Sequence, residues 1–186
     1  MFIQIESTPN PATLKFLPGK TVLEEGTLDF RSPEGSEKSP LAQRLFGIEG
    51  VTGLFFGQDF ITVTADVEDW SHIKPAILGG IMEHFVTGMP ILLDDTPAEA
   101  EAGDEFFEEG DRAMVDTIKE LLETRVRPAV AQDGGDITFK GFQDGVVYLN
   151  MRGACAGCPS STATLKNGIE NLLRHFVPGV EEVRAS

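Results

Sequence analysis

The sequence predicts an α+β protein: two small α/β-sandwich-type domains joined by an acidic, flexible linker. Three observations carry that expectation. Strand-like and helix-like runs are mixed on both sides of one break. The break, Asp94–Gly110, holds eight acidic and no basic side chains. Beyond it the elements read αββαβ, with both cysteines of the chain in a small-residue loop between the second strand and the second helix. The expected bounds are 1–93 for the first domain, 94–110 for the linker and 111–186 for the second domain. No internal repeat is visible.

In the first domain, Phe2–Ile5 alternates weakly as a strand, and Thr8-Pro9-Asn10-Pro11 forms a rigid turn because each proline fixes its φ and biases its predecessor away from helix. Thr13–Leu17 is a second strand closed by Pro18-Gly19, and Thr27–Phe30 a third. After a polar loop over Ser32–Lys38, Ser39-Pro40 opens a short helix as N-cap and first helical residue, and Gly47 stops it. Val51–Phe56 and Phe60–Ala65 are strong strands joined through Gly57-Gln58-Asp59. Asp69-Trp70-Ser71 starts a helix with Trp70, Ile73, Ile77, Ile81 and Phe85 at helical spacing, ended by Gly88-Met89-Pro90.

The Asp94–Gly110 segment repels itself and has little to bury, so it reads as a solvated spacer; Phe106 and Phe107 offer a docking role as the alternative. From Asp111 a helix carries Val115, Ile118, Leu121, Leu122, Val126 and Val130 on one face, with a kink or break expected at Pro128. Gly134-Gly135 stops it. Ile137–Phe142 and Val146–Met151 form a hairpin about Gln143-Asp144-Gly145. Ser160–Phe176 is a helix with Leu165, Ile169, Leu172, Leu173 and Phe176 inward, and Val180–Arg184 is a last short strand.

Composition excludes several classes. The net charge is −15, distributed as −6 before the linker, −8 within it and −1 after it. Nucleic-acid binding relies on Lys and Arg neutralising phosphates, so it is not expected. The most apolar long stretch, Ile73–Leu93, contains Lys74, Glu83, His84 and two prolines, and no membrane partner is expected. Two cysteines do not make a disulfide-built scaffold. Met1–Ile5 has no basic region and no apolar run follows it, so the chain reads as starting in mature form. Phosphate loops and Ser-His-Asp arrangements are absent, and no enzymatic activity is expected.

Chemistry is concentrated in Gly153-Ala154-Cys155-Ala156-Gly157-Cys158-Pro159-Ser160-Ser161. Thiolates are soft ligands and good nucleophiles. Pro159 can begin the helix, whose N-terminus favours a thiolate at Cys158. The glycines and alanines let backbone wrap closely around something large. Cys155 and Cys158 are therefore candidate metal or cluster ligands. Two thiolates are half of a four-thiolate site, so completion requires a second copy of the chain on a two-fold axis. The alternative is a thiol–disulfide oxidoreductase using the same pair. His72, His84 and His175 read as structural or surface residues. Asp133 and Asp136 flank the Gly-Gly helix stop and could otherwise be a carboxylate pair. Arg152 either offsets the charge of a bound cluster or is exposed.

Arg127-Pro128-Ala129-Val130, Asp133-Gly134-Gly135-Asp136 and the cysteine loop together resemble the C-terminal domain of the Nfu/NifU family. Thr8-Pro9-Asn10-Pro11 with Leu14-Lys15-Phe16 resembles that family's N-terminal domain. The resemblance implies an iron–sulfur cluster scaffold or carrier. It implies a [4Fe-4S] cluster bridged between two subunits by Cys155 and Cys158 of each. It implies a homodimer when loaded, with apo iron–sulfur clients and upstream cluster-assembly proteins as partners. It further implies a bacterial cytoplasmic protein, or a processed form in the mitochondrial matrix.

Overall fold

The computed structural model describes residues 1–93, 105–156 and 159–185, the side chains of 159–161 excepted. The chain divides into two compact units, Met1–Ala100 and Glu101–Ser186.

The first unit is a five-stranded antiparallel sheet in the order β1-β2-β5-β4-β3, formed by β1 (Gln4–Ser7), β2 (Thr13–Leu17), β3 (Leu28–Phe30), β4 (Val51–Phe56) and β5 (Ile61–Ala65). The Thr8-Pro9-Asn10-Pro11 turn joins β1 to β2 and is locked locally: Thr8 Oγ1 donates to the Asn10 and Thr13 carbonyls (2.8 and 2.9 Å), and Ala12 N donates to Asn10 Oδ1 (3.0 Å). Helices α1 (Pro40–Phe46) and α2 (Lys74–Thr87) bury Leu41, Leu45, Ile77 and Ile81 in one core with Phe16, Leu54, Phe56, Ile61 and Val63 of the sheet. As expected, Ser39 caps α1, its Oγ accepting from Ala42 N at 3.2 Å. The helix expected from Asp69 instead breaks into a 3₁₀ turn, Trp70–His72, before α2, which carries Pro75 in its first turn. Trp70 still packs against the core of this unit, and its indole N–H donates to the Pro11 carbonyl at 3.3 Å. Gly88 ends α2 in the left-handed conformation, φ 67°.

The second unit packs helices on a three-stranded sheet, β6 (Gly135–Gln143), β7 (Val146–Gly153) and β8 (Glu182–Ala185), in that order. β6 and β7 are an antiparallel hairpin closed by Asp144 and Gly145, both at positive φ (52° and 79°). β8 pairs parallel with β7, because the 18-residue helix α5 (Pro159–Phe176) returns the chain to the same end of the sheet. The single helix expected from Asp111 comes in three parts: α3 (Arg112–Leu121), a π-helical turn (Leu122–Val126) and α4 (Arg127–Gln132). Pro128 lacks the N–H that would bond back to Thr124 and its ring crowds that carbonyl, so the preceding turn widens. The apolar stripe survives this: Val115, Ile118, Leu122, Val126 and Val130 are all buried against Ile137, Phe139, Leu149, Ile169 and Leu173.

Two expectations change here. Phe176 is not inward; it is 45% exposed, with the Arg125 guanidinium 4.9 Å from its ring. The spacer expected over 94–110 does not extend to its C-terminal end, since Phe106 lies on the free edge of β6, bridged in parallel to Gly141. Phe106 N donates to the Lys140 carbonyl (3.3 Å) and Phe142 N donates to the Phe106 carbonyl (2.8 Å). Its ring fills the space that a Cβ on Gly141 would take and packs 5.2 Å from Tyr148, while Glu105 pairs with Lys119. Residues 94–104 of the expected linker lie outside the described residues.

Candidate metal centre

The site is built where β7 ends and α5 begins. Gly153, at φ 62°, turns the chain out of the sheet, and Ala156 N closes the turn onto the Gly153 carbonyl at 3.1 Å. Cys155 therefore points back into the unit; it is 6% exposed and belongs to the same core as Ile137 and Met151. Thr162, in the first turn of α5, donates its hydroxyl to the Cys155 carbonyl at 3.0 Å and ties the helix to the loop. Cys158 lies outside the described residues, as does Gly157.

The floor of the loop is the start of β6. Gly135 faces Gly153 and Asp136 faces Arg152 across the hairpin. Ala154 N donates to the Gly134 carbonyl at 3.2 Å. A Cβ on Gly135 would stand 2.6 Å from Cys155 Sγ and 2.8 Å from the Arg152 carbonyl oxygen, so only glycine fits beneath the sulfur. The helix-stop reading of the Asp-Gly-Gly-Asp segment holds for its first half: Asp133 is the C-cap of α4 and Gly134 follows at φ 79°. Asp136 is instead a buried carboxylate held by Arg127, whose Nε and Nη2 donate to its two oxygens, each at 2.9 Å. It also accepts from Ile137 N at 2.8 Å. Arg127 Nη1 donates to Glu123 Oε2 at 2.6 Å. Bonding to Asp136 first, then attraction to Asp136 and Glu123, raises the Arg127 pKa further above its ordinary value, against the burial that lowers it.

Burial, followed by the negative charges of Asp133 and Asp136, pushes the Cys155 thiol up to about 12. At neutral pH Cys155 is thus a protonated thiol, and any metal that takes it as ligand displaces that proton. Arg152 is buried, at 7% exposure, which removes the exposed reading of this residue. Among the described residues no group of three or more His, Cys, Asp or Glu side chains is arranged to hold a metal. Of the histidines, His72 is exposed beside Asp69 and His84 is buried in α2, both in the first unit, and His175 is exposed in the last turn of α5. Within the described residues no helix is long and apolar enough to cross a membrane.

Sequence reasoning found the cysteines and the glycine punctuation but not the Arg127–Asp136 fork or the contact between Gly135 and Cys155. The Gly135–Cys155 contact depends on the hairpin register, which sets Gly135 opposite Gly153, and the fork depends on how α4 folds back onto the start of β6, nine residues on. The only available signal was the two carboxylates flanking Gly134-Gly135, which fitted a plain helix stop equally well.

Comparison with known proteins agrees with this architecture. Residues 3–88 match the family model described as scaffold protein Nfu/NifU N terminal, and residues 118–184 match the NifU-like domain. The chain is 53% identical to "NFU1 iron-sulfur cluster scaffold homolog, mitochondrial" of Homo sapiens over 185 residues, covering 98% of this chain and 71% of that protein. It is 50% identical to the protein of the same name from Drosophila sechellia, covering 98% of this chain and 64% of that one. It is also 50% identical to "NifU-like protein 4, mitochondrial" of Arabidopsis thaliana, with 98% and 65% covered. The two family models account for both folded units in order, and with these relatives they establish that the chain belongs to the Nfu/NifU scaffold family.

Proposed function

We propose that this protein is a non-enzymatic carrier that holds a [4Fe-4S] cluster between two copies of itself, through Cys155 and Cys158 of each, and hands it to apo iron–sulfur proteins. The observation that carries the reading is the cysteine loop. Its small residues wrap Cys155 between a strand end and a helix start, on a floor that admits nothing larger than glycine. A cubane held by thiolates needs four of them, and the chain has two. The names of the relatives support an iron–sulfur scaffold role. The first domain, taken as 1–93, recognises clients or upstream assembly proteins, and the part of 94–110 that precedes Glu105 acts as a spacer. The reading places the carrier in a bacterial cytoplasm or a mitochondrial matrix, the latter in keeping with the relatives' names.

The dithiol oxidoreductase reading needs an accessible, low-pKa thiolate. At Cys155, burial with the thiol pushed up to about 12 does not favour that role, which would fall to Cys158.

Anaerobic reconstitution with ferrous iron and sulfide tests the proposal. The expected result is about four iron per two chains, as one thiolate-ligated cubane requires, reduced to background by Cys155→Ala or Cys158→Ala. A cluster retained undiminished in either variant contradicts it. So does an intramolecular Cys155–Cys158 disulfide that cycles while the monomer reduces insulin.

A further inference from the structure

We propose that Arg127 and Asp136 form a positioning pair for the cysteine ligand, fixing the strand start on which Cys155 rests; this rests on the carrier reading above. The pair closes a ten-residue span, bridging the start of α4 directly to the start of β6. Arg127 is the first residue of α4, directly after the π-helical turn and directly before Pro128. Asp136 is the second residue of β6 and is almost wholly buried. The guanidinium meets the carboxylate as a two-point fork, 2.9 Å on each arm, a geometry that fixes orientation as well as distance.

Between the clamped ends lie the two groups that touch the cysteine loop. The Gly134 carbonyl accepts from Ala154 N, the residue before Cys155, at 3.2 Å. Gly135 lies so close beneath Cys155 Sγ that its Cα hydrogens are all that fit. Any shift of this floor therefore moves or uncovers the sulfur. Ile137 N, bonded to the same carboxylate at 2.8 Å, continues the hold into the strand. Arg127 and Asp136 touch no cluster in this account; they act through Gly134 and Gly135, as outer partners orient metal ligands elsewhere.

The test uses the full chain with Arg127→Lys, which keeps the charge but not the fork, and with Asp136→Asn. Amide hydrogen exchange is read first, without any cluster. The pair predicts that the Ala154 amide exchanges about tenfold faster in Arg127→Lys, as expected for local opening. The Val183 amide, which donates to Glu170 Oε2 elsewhere in the unit, should keep its rate. Cluster retention against a chelator is read second, with a loss of about tenfold or more expected. An unchanged Ala154 rate in both variants overturns the proposal. Acceleration of Ala154 and Val183 together, or failure of both variants to fold, also overturns it, since the pair would then only hold the fold. Faster Ala154 exchange with unaltered cluster retention overturns the link to the ligand. If the wild-type chain binds no cluster, the carrier reading fails, and the exchange measurement still decides whether the fork fixes the floor of Cys155.

Discussion

At the scale of single residues, close approach and burial set the chemistry. Gly135→Ala would drive a methyl group to 2.6 Å from Cys155 Sγ and 2.8 Å from a backbone carbonyl that cannot swing aside. Overpacking of this kind costs about 1–3 kcal/mol, which urea unfolding of the second unit should show, together with displacement of the ligand. His84 gives a second residue-scale prediction. It is fully buried in α2, and neither ring nitrogen has a well-formed hydrogen bond among the described residues. Burial, followed by the charge of Arg44, lowers its pKa, while the Met89 main chain offsets this in part. Glu83 pairs with Arg44 on the same side. The folded state therefore takes up its proton later on acidification than the unfolded state does. Stability should be constant above the unfolded value of 6.5 and fall as the pH drops below it. His84→Leu should flatten the pH dependence of the thermal midpoint between pH 7 and 5. These residues show the limit of the sequence: the cysteines were legible by type and spacing, whereas Gly135 looked like half of a helix stop because its neighbour Cys155 is set by register.

At the scale of elements, local rules worked where the signal was local. Ser39-Pro40 marked the start of α1, and the structure adds the bond from Ala42 N at 3.2 Å. Ser39→Ala should cost about 1 kcal/mol, as loss of an N-cap does, read as a lower unfolding midpoint of the first unit. Thr13–Leu17 and Val51–Phe56 were also legible, because apolar runs bounded by turn residues have few alternatives. The failures came where tertiary contacts competed. Trp70 packs on the core as its stripe requires but from a 3₁₀ turn tied to the Pro11 carbonyl, and Phe176 fits a helical stripe but stacks under Arg125 at the surface. Phe106 sits in an acidic run, and charge outweighed its ring in the reading; the open edge of β6 and the bare Gly141 decide its place. Phe106→Ala should destabilise the second unit by about 1–2 kcal/mol, less than the 3–5 of a fully buried phenylalanine, and should speed exchange of the Phe142 amide that bonds to the Phe106 carbonyl.

At the scale of the whole molecule, charge is segregated from the chemistry. The net charge of −15 lies mostly in the linker and the first domain, while residues 111–186 carry only −1. The proposed meeting of two cysteine loops would therefore not oppose two strongly charged domains. The αββαβ order was legible in the sequence; the parallel pairing of β8 was not, since element order alone does not say which edge a final strand joins. The central claim is that the missing half of the site is a second copy of the same loop. Native mass spectrometry under anaerobic conditions tests it most directly. The account predicts that reconstituted protein gains the mass of one Fe₄S₄ unit on a dimer, and that this dimer reverts to monomer when a chelator strips the iron. A cluster carried stably by a single chain, or a loaded dimer that persists when Cys155 and Cys158 are both replaced by alanine, would contradict it.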